Sequence, residues 1–376
     1  MANWNEIPRD ICRLILQKVV TVITDHIPFC GVCRLWRSIG LEYRRSKFPA
    51  NVPGLMIPCG PTTATRTRRF LAFPVGKDIT RLDDHDLPVL SVPHESLCRG
   101  SHRGWLVIVE ENMTMYIYNP ISRVRISLPP MTTLPKLKQG MSKWYLKRAI
   151  LSAIPLSSSS VDCFVLVFCG FYEMVYCKVG DVVWTAIEEL KPWRYIDAIF
   201  YKEVFYIMDH YGGIFIFDVN LPHPKVTELG ISPPRLIPYG KSLLIPYGKW
   251  YLVEFGGELL QILRTTKFIN QTADFQVFRL DMSSGLVPKW IDVKDLEGGA
   301  VFVGLNQSFA LSKPNLVGYK GDRIYFTDDD IGSHKLFIRS GNDNGVFNVA
   351  NSIVEPLYST HSGSSKPPAV WISPME

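Results

Sequence analysis

The side chains able to do chemistry are cysteine, histidine, serine and the clustered acids, and their spacing decides what each could do. Cys30-Gly-Val-Cys33 has the gap of a redox pair or of half a zinc site. A structural zinc needs a second pair, and Cys59 stands alone nearby; Cys33 also falls at helical spacing from Phe29 and Trp36, so the pair reads as packed thiols. Cys163, Cys169 and Cys177 lie within apolar runs, where cysteine serves as a small hydrophobe. Ser101 precedes His102, but neighbours on a strand or turn point apart and the nucleophile-elbow spacing is absent. Asp83-Asp-His-Asp86 crowds its carboxylates without the longer loop that cation sites use, and it reads, like Asp328-Asp-Asp330, as a solvated turn. The histidines fall singly, and no phosphate loop, dinucleotide fingerprint or His-Glu-x-x-His occurs. The sequence therefore predicts a non-enzyme with no metal and no cofactor.

What must position side chains in this chain is a small helical segment followed by many short strands. Residues 1–48 carry two apolar patterns at helical spacing, Ile11, Leu14, Ile15 and Val19 in the first and Phe29, Val32, Cys33 and Trp36 in the second. Pro8 and Asp10 suit the start of the first helix, and Asp25 with Pro28 suits the start of the second. From Leu41 the pattern fades into a connector. A segment this short cannot close a core alone, so its apolar stripes must be covered by the rest of the chain or by a partner.

Residues 49–376 read as one mainly β domain. Units of about four short apolar runs recur, separated by Gly/Asp turns: Gly104-Trp-Leu-Val-Ile-Val, Thr114-Met-Tyr-Ile-Tyr and Arg123-Val-Arg-Ile-Ser-Leu form part of one, and Val204-Phe-Tyr-Ile-Met-Asp with Gly213-Ile-Phe-Ile-Phe-Asp part of another. A four-stranded sheet cannot bury both faces alone, and repeated units stack radially to cover each other. Counting the strands before Gly100 as one unit predicts a β-propeller of about six blades, with Ala369-Val-Trp-Ile-Ser-Pro374 closing the first blade.

Composition sets the remaining bounds. A hydrophobic share of 47% with 20% charged residues is that of a folded protein, and 12% aromatics with 27 Gly and 27 Pro fit short strands and tight turns. The formal charge of +6 is uneven: residues 1–69 hold 11 Lys+Arg against 4 Asp+Glu. A nucleic-acid surface is the sharper reading of that excess, and the favoured one is a solvated basic face, including Arg66-Thr-Arg-Arg69, or a complement to an acidic adaptor. No signal peptide, membrane span or disulfide spacing is legible, which points to an intracellular protein of the nucleus or cytoplasm; Asn112, Asn270 and Asn306 are then chance matches to the glycosylation triplet.

The opening stretch resembles an F-box. Ile7-Pro8, Asp10, Ile11, Leu14 and Ile15 are followed by Phe29 and by Val32-Cys-Arg-Leu-Trp36-Arg-Ser, with a spacer from Lys18 to Asp25 longer than is usual there. Further on, Cys98-Arg-Gly-Ser-His-Arg-Gly-Trp-Leu, Tyr118-Asn-Pro-Ile-Ser, Ile324-Tyr-Phe-Thr-Asp-Asp and Trp371-Ile-Ser-Pro are similar to plant F-box proteins with a KIB-type, kelch-like propeller. The resemblance implies the substrate receptor of a Skp–cullin–F-box ubiquitin ligase, with a Skp-type adaptor and through it a cullin/RING ligase as partners and an unassigned protein as target. It carries over Ile7, Pro8, Ile11, Leu14, Ile15, Phe29, Val32, Cys33 and Trp36 as adaptor contacts. The alternative is a propeller that binds proteins outside any ligase. Around Trp144-Tyr145, Trp193-Arg194 and His210-Tyr211, aromatic loops are candidates for target binding, with packing between blades as the competing reading.

Overall fold

The computed structural model describes residues 7–19, 29–47, 53–58, 68–72, 89–120, 122–134, 142–155, 162–170, 172–188, 190, 193–231, 248–267, 271–282, 288–312, 319–329, 343–357 and 369–374. Among these, two α-helices precede six sheets. Helix α1 spans Arg9–Val19 and α2 spans Arg34–Lys47. The second helix thus continues through the stretch where a connector was expected, because Leu35, Ile39 and Tyr43 keep an apolar stripe turned toward α1. Asp25, Pro28 and most of the Lys18–Asp25 spacer lie outside the described residues, as does Asp83-Asp-His-Asp86.

The chain fills the blades in order. Blade 1 receives β1 (Gly54–Pro58), β2 (Arg68–Ala72) and β3 (Val89–Leu90). Blade 2 holds β4 (Leu97–His102), β5 (Trp105–Val109), β6 (Met115–Tyr118) and β7 (Arg125–Ser127). Blade 3 holds β8 (Leu146–Leu151), β9 (Phe164–Cys169), β10 (Glu173–Lys178) and β11 (Thr185–Ala186). In blade 4 the strands are β12 (Tyr195–Tyr201), β13 (Val204–Asp209), β14 (Ile214–Asp218) and β15 (Lys225–Glu228). Blade 5 contains β16 (Gly248–Phe255), β17 (Glu258–Lys267), β18 (Gln271–Asp281) and β19 (Lys289–Val293). Blade 6 takes β20 (Ala300–Val303), β21 (Phe309–Leu311), β22 (Arg323–Phe326), β23 (Gly345–Asn348) and β24 (Ile353–Pro356). Finally β25 (Val370–Ile372) pairs antiparallel with β1, Leu55 opposite Trp371, and becomes the inner strand of blade 1. The first blade is therefore built from both ends of the domain, which closes the ring.

Alternation along the strands explains why the ring holds. In β5, Leu106 and Ile108 face blade 1 while Val107 and Val109 face blade 3. Six clusters of buried side chains result among the described residues, each lying between neighbouring blades, and the last joins Phe302 and Tyr325 of blade 6 to Leu55 and Trp371 of blade 1. Trp371 is fully buried there, its ring edge-on to Phe302 at 5.1 Å. Fully burying each such side chain contributes roughly 1.5–3 kcal/mol, and none of these faces is covered without its neighbour.

Blade 6 departs from the regular pattern. Its order is β21-β20-β22-β23-β24, and β20 runs parallel to β22, whereas the other blades pair antiparallel throughout. Residues 304–308 leave β20, reach across to blades 1, 2 and 3 and return as β21 antiparallel to β20, so β22 joins the other side of β20 running the same way. Leu305 is buried among Met56, Cys98 and Leu106 of blades 1 and 2. Gln307 accepts the Leu151 N–H at 3.1 Å, and Leu151 belongs to blade 3, on the opposite side of the ring. This crossing segment fills the middle of the propeller. Lys335-Leu-Phe-Ile, whose pattern predicts a strand, lies outside the described residues.

Candidate functional site

The helix pair has a small core of its own, formed by Cys12, Leu16, Phe29, Trp36 and Ile39. Phe29 and Trp36 pack with ring centroids 4.4 Å apart. Arg9 and Arg13 both reach Glu42 on α2, at 3.0 and 3.3 Å, and tie the helices together on their solvent side. These two guanidiniums hold the Glu42 carboxyl below the usual carboxylate range.

The nine residues expected to contact an adaptor divide into two groups. Ile11, Leu14 and Val32 are exposed, at 47%, 56% and 44%, and Pro8 is exposed beside them. Ile7, Ile15 and Cys33 are half-buried against the core, and Phe29 and Trp36 are inside it. Cys12 and Leu16 form the inward face of α1, and Ile11 and Leu14 of the expected stripe lie on its outer side, not covered by the described residues. In the second pattern, Val32 and Cys33 sit in the turn before α2 rather than on it. Cys33 packs against that same core, and the Cys30 thiol points to the Arg37 carbonyl at 3.9 Å.

In the propeller, the polar groups near the axis serve the fold. Arg148 pairs with Asp197, and its second terminal nitrogen donates to the Gly304 carbonyl of the crossing segment. Asp197 also accepts the N–H groups of Leu252 and Ala198, at 2.8 and 2.9 Å. Burial alone would lower the Arg148 pKa, but Asp197 keeps it above the ordinary arginine value. A second network joins blades 5 and 6. Asp329 accepts from Lys249 at 2.5 Å and from the Tyr251 hydroxyl at 2.7 Å, while Arg264 donates to Asp343 at 2.6 Å. Burial would raise the Asp329 carboxyl, yet Lys249 and then Arg264 hold it well below the carboxylate range. The solvated turn expected at Asp328-Asp-Asp330 is thus corrected for its first two members, whose side chains are buried.

Other expectations resolve in the same direction. Ser101 donates to the Trp371 carbonyl at 2.5 Å, so the serine of Ser101-His102 helps close the ring. Arg68 and Arg69 are buried in β2 instead of forming a solvated basic face, and Arg68 donates to the Ser96 carbonyl. Cys163, Cys169 and Cys177 are buried between blades 2 and 3, and burial pushes the Cys163 thiol up to about 11. Among the described residues, no three His, Cys, Asp or Glu side chains gather as a metal site would require. No helix among them is long and apolar enough to cross a membrane. Of the aromatic loops, Trp144 and Trp193 pack against the interblade clusters, whereas Tyr211 is 45% exposed. Tyr172, absent from those candidate loops, is 57% exposed on blade 3; no sequence signal separates it from the apolar run Met174-Val-Tyr176 that follows.

Comparison with known proteins agrees with this architecture. The family described as KIB1-4 beta-propeller matches residues 73–348, and the chain belongs to it. It is similar to the F-box protein SKIP23 of Arabidopsis thaliana, 24% identical across 99% of this chain and 96% of that protein. A probable F-box protein of the same plant is 23% identical across 95% of this chain and 92% of its own length. Among solved structures, the N-terminal domain of Nup159 is similar across 84% of both chains, at 8% identity and a TM-score of 0.36.

Proposed function

We propose that this protein is the target-binding subunit of a Skp–cullin–F-box ubiquitin ligase. The helix pair docks a Skp-type adaptor, and the propeller holds a target protein while other subunits carry out the chemistry. The observation that carries this reading is the pair Ile11 and Leu14, large apolar residues left exposed on a helix whose inner face is already covered. Relatives that span nearly the whole chain bear F-box names, which supports the same assignment. In this reading Ile7, Pro8, Ile11, Leu14, Ile15 and Val32 meet the adaptor, and Phe29, Cys33 and Trp36 hold that surface in shape. Tethering raises the effective concentration of the target at the ligase, so no catalytic group is needed in this chain.

A pull-down with a purified Skp-type adaptor tests it. Wild type is retained and Ile11→Asp/Leu14→Asp is lost, although the variant keeps its propeller intact by thermal unfolding. Equal retention of both, or retention of neither, overturns the assignment.

A further inference from the structure

The side of the helix pair that exposes Ile11 and Leu14 continues onto α2. Arg9 and Arg13 meet Glu42 along one flank, and Arg13 also reaches Asp10 at 3.3 Å. Successive residues of a helix turn by about 100°, so Ile11 lies about 200° from Arg13, on the flank of α1 away from that tie. Arg37 likewise lies about 140° from Glu42 around α2, and with Trp36 turned to the core the two stand on opposite flanks. Two helices that share one core have two open sides, and Ile11 and Arg37 therefore fall on the same one. The turn before α2 lies on that side too. A Cβ on Gly40, on the Arg37 flank, would collide with the Cys30 thiol, which points to the Arg37 carbonyl. Val32 follows that thiol by two residues and is exposed. Leu41, one turn after Arg37, is 37% exposed.

Charge is divided between the two sides. Asp10 and Glu42, the acids of the two described helices, are both held by Arg13. Lys18, Arg34 and Arg37 are exposed away from that tie. Covering an apolar surface strips water from a guanidinium beside it, and that cation then needs a carboxylate. A second copy of the chain would set this basic side against another, so the fitting partner is acidic. We propose, on the docking reading above, that Arg37 and Leu41 extend the adaptor-binding surface and that it fits an adaptor whose facing surface is acidic. Leu41 is covered together with Ile11, Leu14 and Val32, and Arg37 donates to an adaptor carboxylate at their edge. No covalent step is involved.

Surface plasmon resonance of the full chain over an immobilised, purified Skp-type adaptor tests it. Arg37→Glu should weaken binding by at least about tenfold, largely through slower association, and Leu41→Asp by a similar factor. Ser38→Glu, which places a new carboxylate toward the Glu42 flank, should stay within about twofold of wild type. A readout on wild type itself is salt: raising sodium chloride from about 50 to about 500 mM should slow its association, and Arg37→Gln should be less affected. Binding of either Arg37→Glu or Leu41→Asp at wild-type strength, or wild-type association indifferent to salt, overturns this inference while leaving the docking reading in place. If wild type itself does not bind, the docking reading fails and takes the inference with it.

Discussion

The Arg148–Asp197 pair offers the sharpest test of how the propeller's centre is held. Asp197→Ala leaves Arg148, whose side chain is 8% exposed, without its carboxylate. It also strips an acceptor from the Leu252 and Ala198 N–H groups. Breaking a buried pair from one side costs about 3–5 kcal/mol. Arg148→Met leaves Asp197 with its two backbone donors and removes the donor to Gly304, so it should cost about 3 kcal/mol. The double variant buries no charge, and its remaining losses are unpaired backbone groups, about 2–3 kcal/mol. The singles should therefore sum to about 3–6 kcal/mol more than the double variant loses. Urea unfolding followed by tryptophan fluorescence measures all four corners of the cycle. Additivity within about 0.5 kcal/mol would refute the argument, because it would mean that the two charges do not act on each other across the blades.

Two further outcomes follow from the same geometry. Gly100→Ala places a Cβ 2.1 Å from the Ala149 carbonyl oxygen, on the inner strand of the next blade, and should destabilise by about 1–3 kcal/mol in the same assay; an unchanged midpoint would show that these strands can part freely. Burial pushes the His102 imidazole down to about 4, with Arg103 adding to the effect. Its folded-state pKa is depressed below the ordinary value of about 6.5, so its contribution is present above that pH and is lost as pH falls toward 4. Because the side chain is only half-buried, the loss should be about 1–2 kcal/mol, and His102→Gln should flatten the stability profile across that window; a variant profile as steep as wild type contradicts the assignment.

Sequence alone determined the plan of this protein. Apolar runs such as Trp105–Val109 and Val204–Asp209 demand sheets buried on both faces, and the repetition of four such runs leads to stacked blades. The six-bladed ring and its closure by Ala369–Ser373 were legible because strand pattern is local. Helical spacing likewise located the helix pair, but it could not say which apolar side chains face inward. Cys12 and Leu16 take the core, and Ile11 and Leu14 stay outside, because the position of α2 selects the face.

Only tertiary structure could decide what charged residues do, since that depends on who meets them across the ring. Asp329 looks like part of a solvated turn until Lys249 and Tyr251 arrive from blade 5. Arg68 and Arg69 look like a basic face until β2 buries them inside blade 1. The crossing segment at residues 304–308 carries no periodic signature, and its role exists only because blade 3 stands opposite blade 6. Local pattern settles which elements form, while the pairing of charges is set by contacts between residues far apart in the chain.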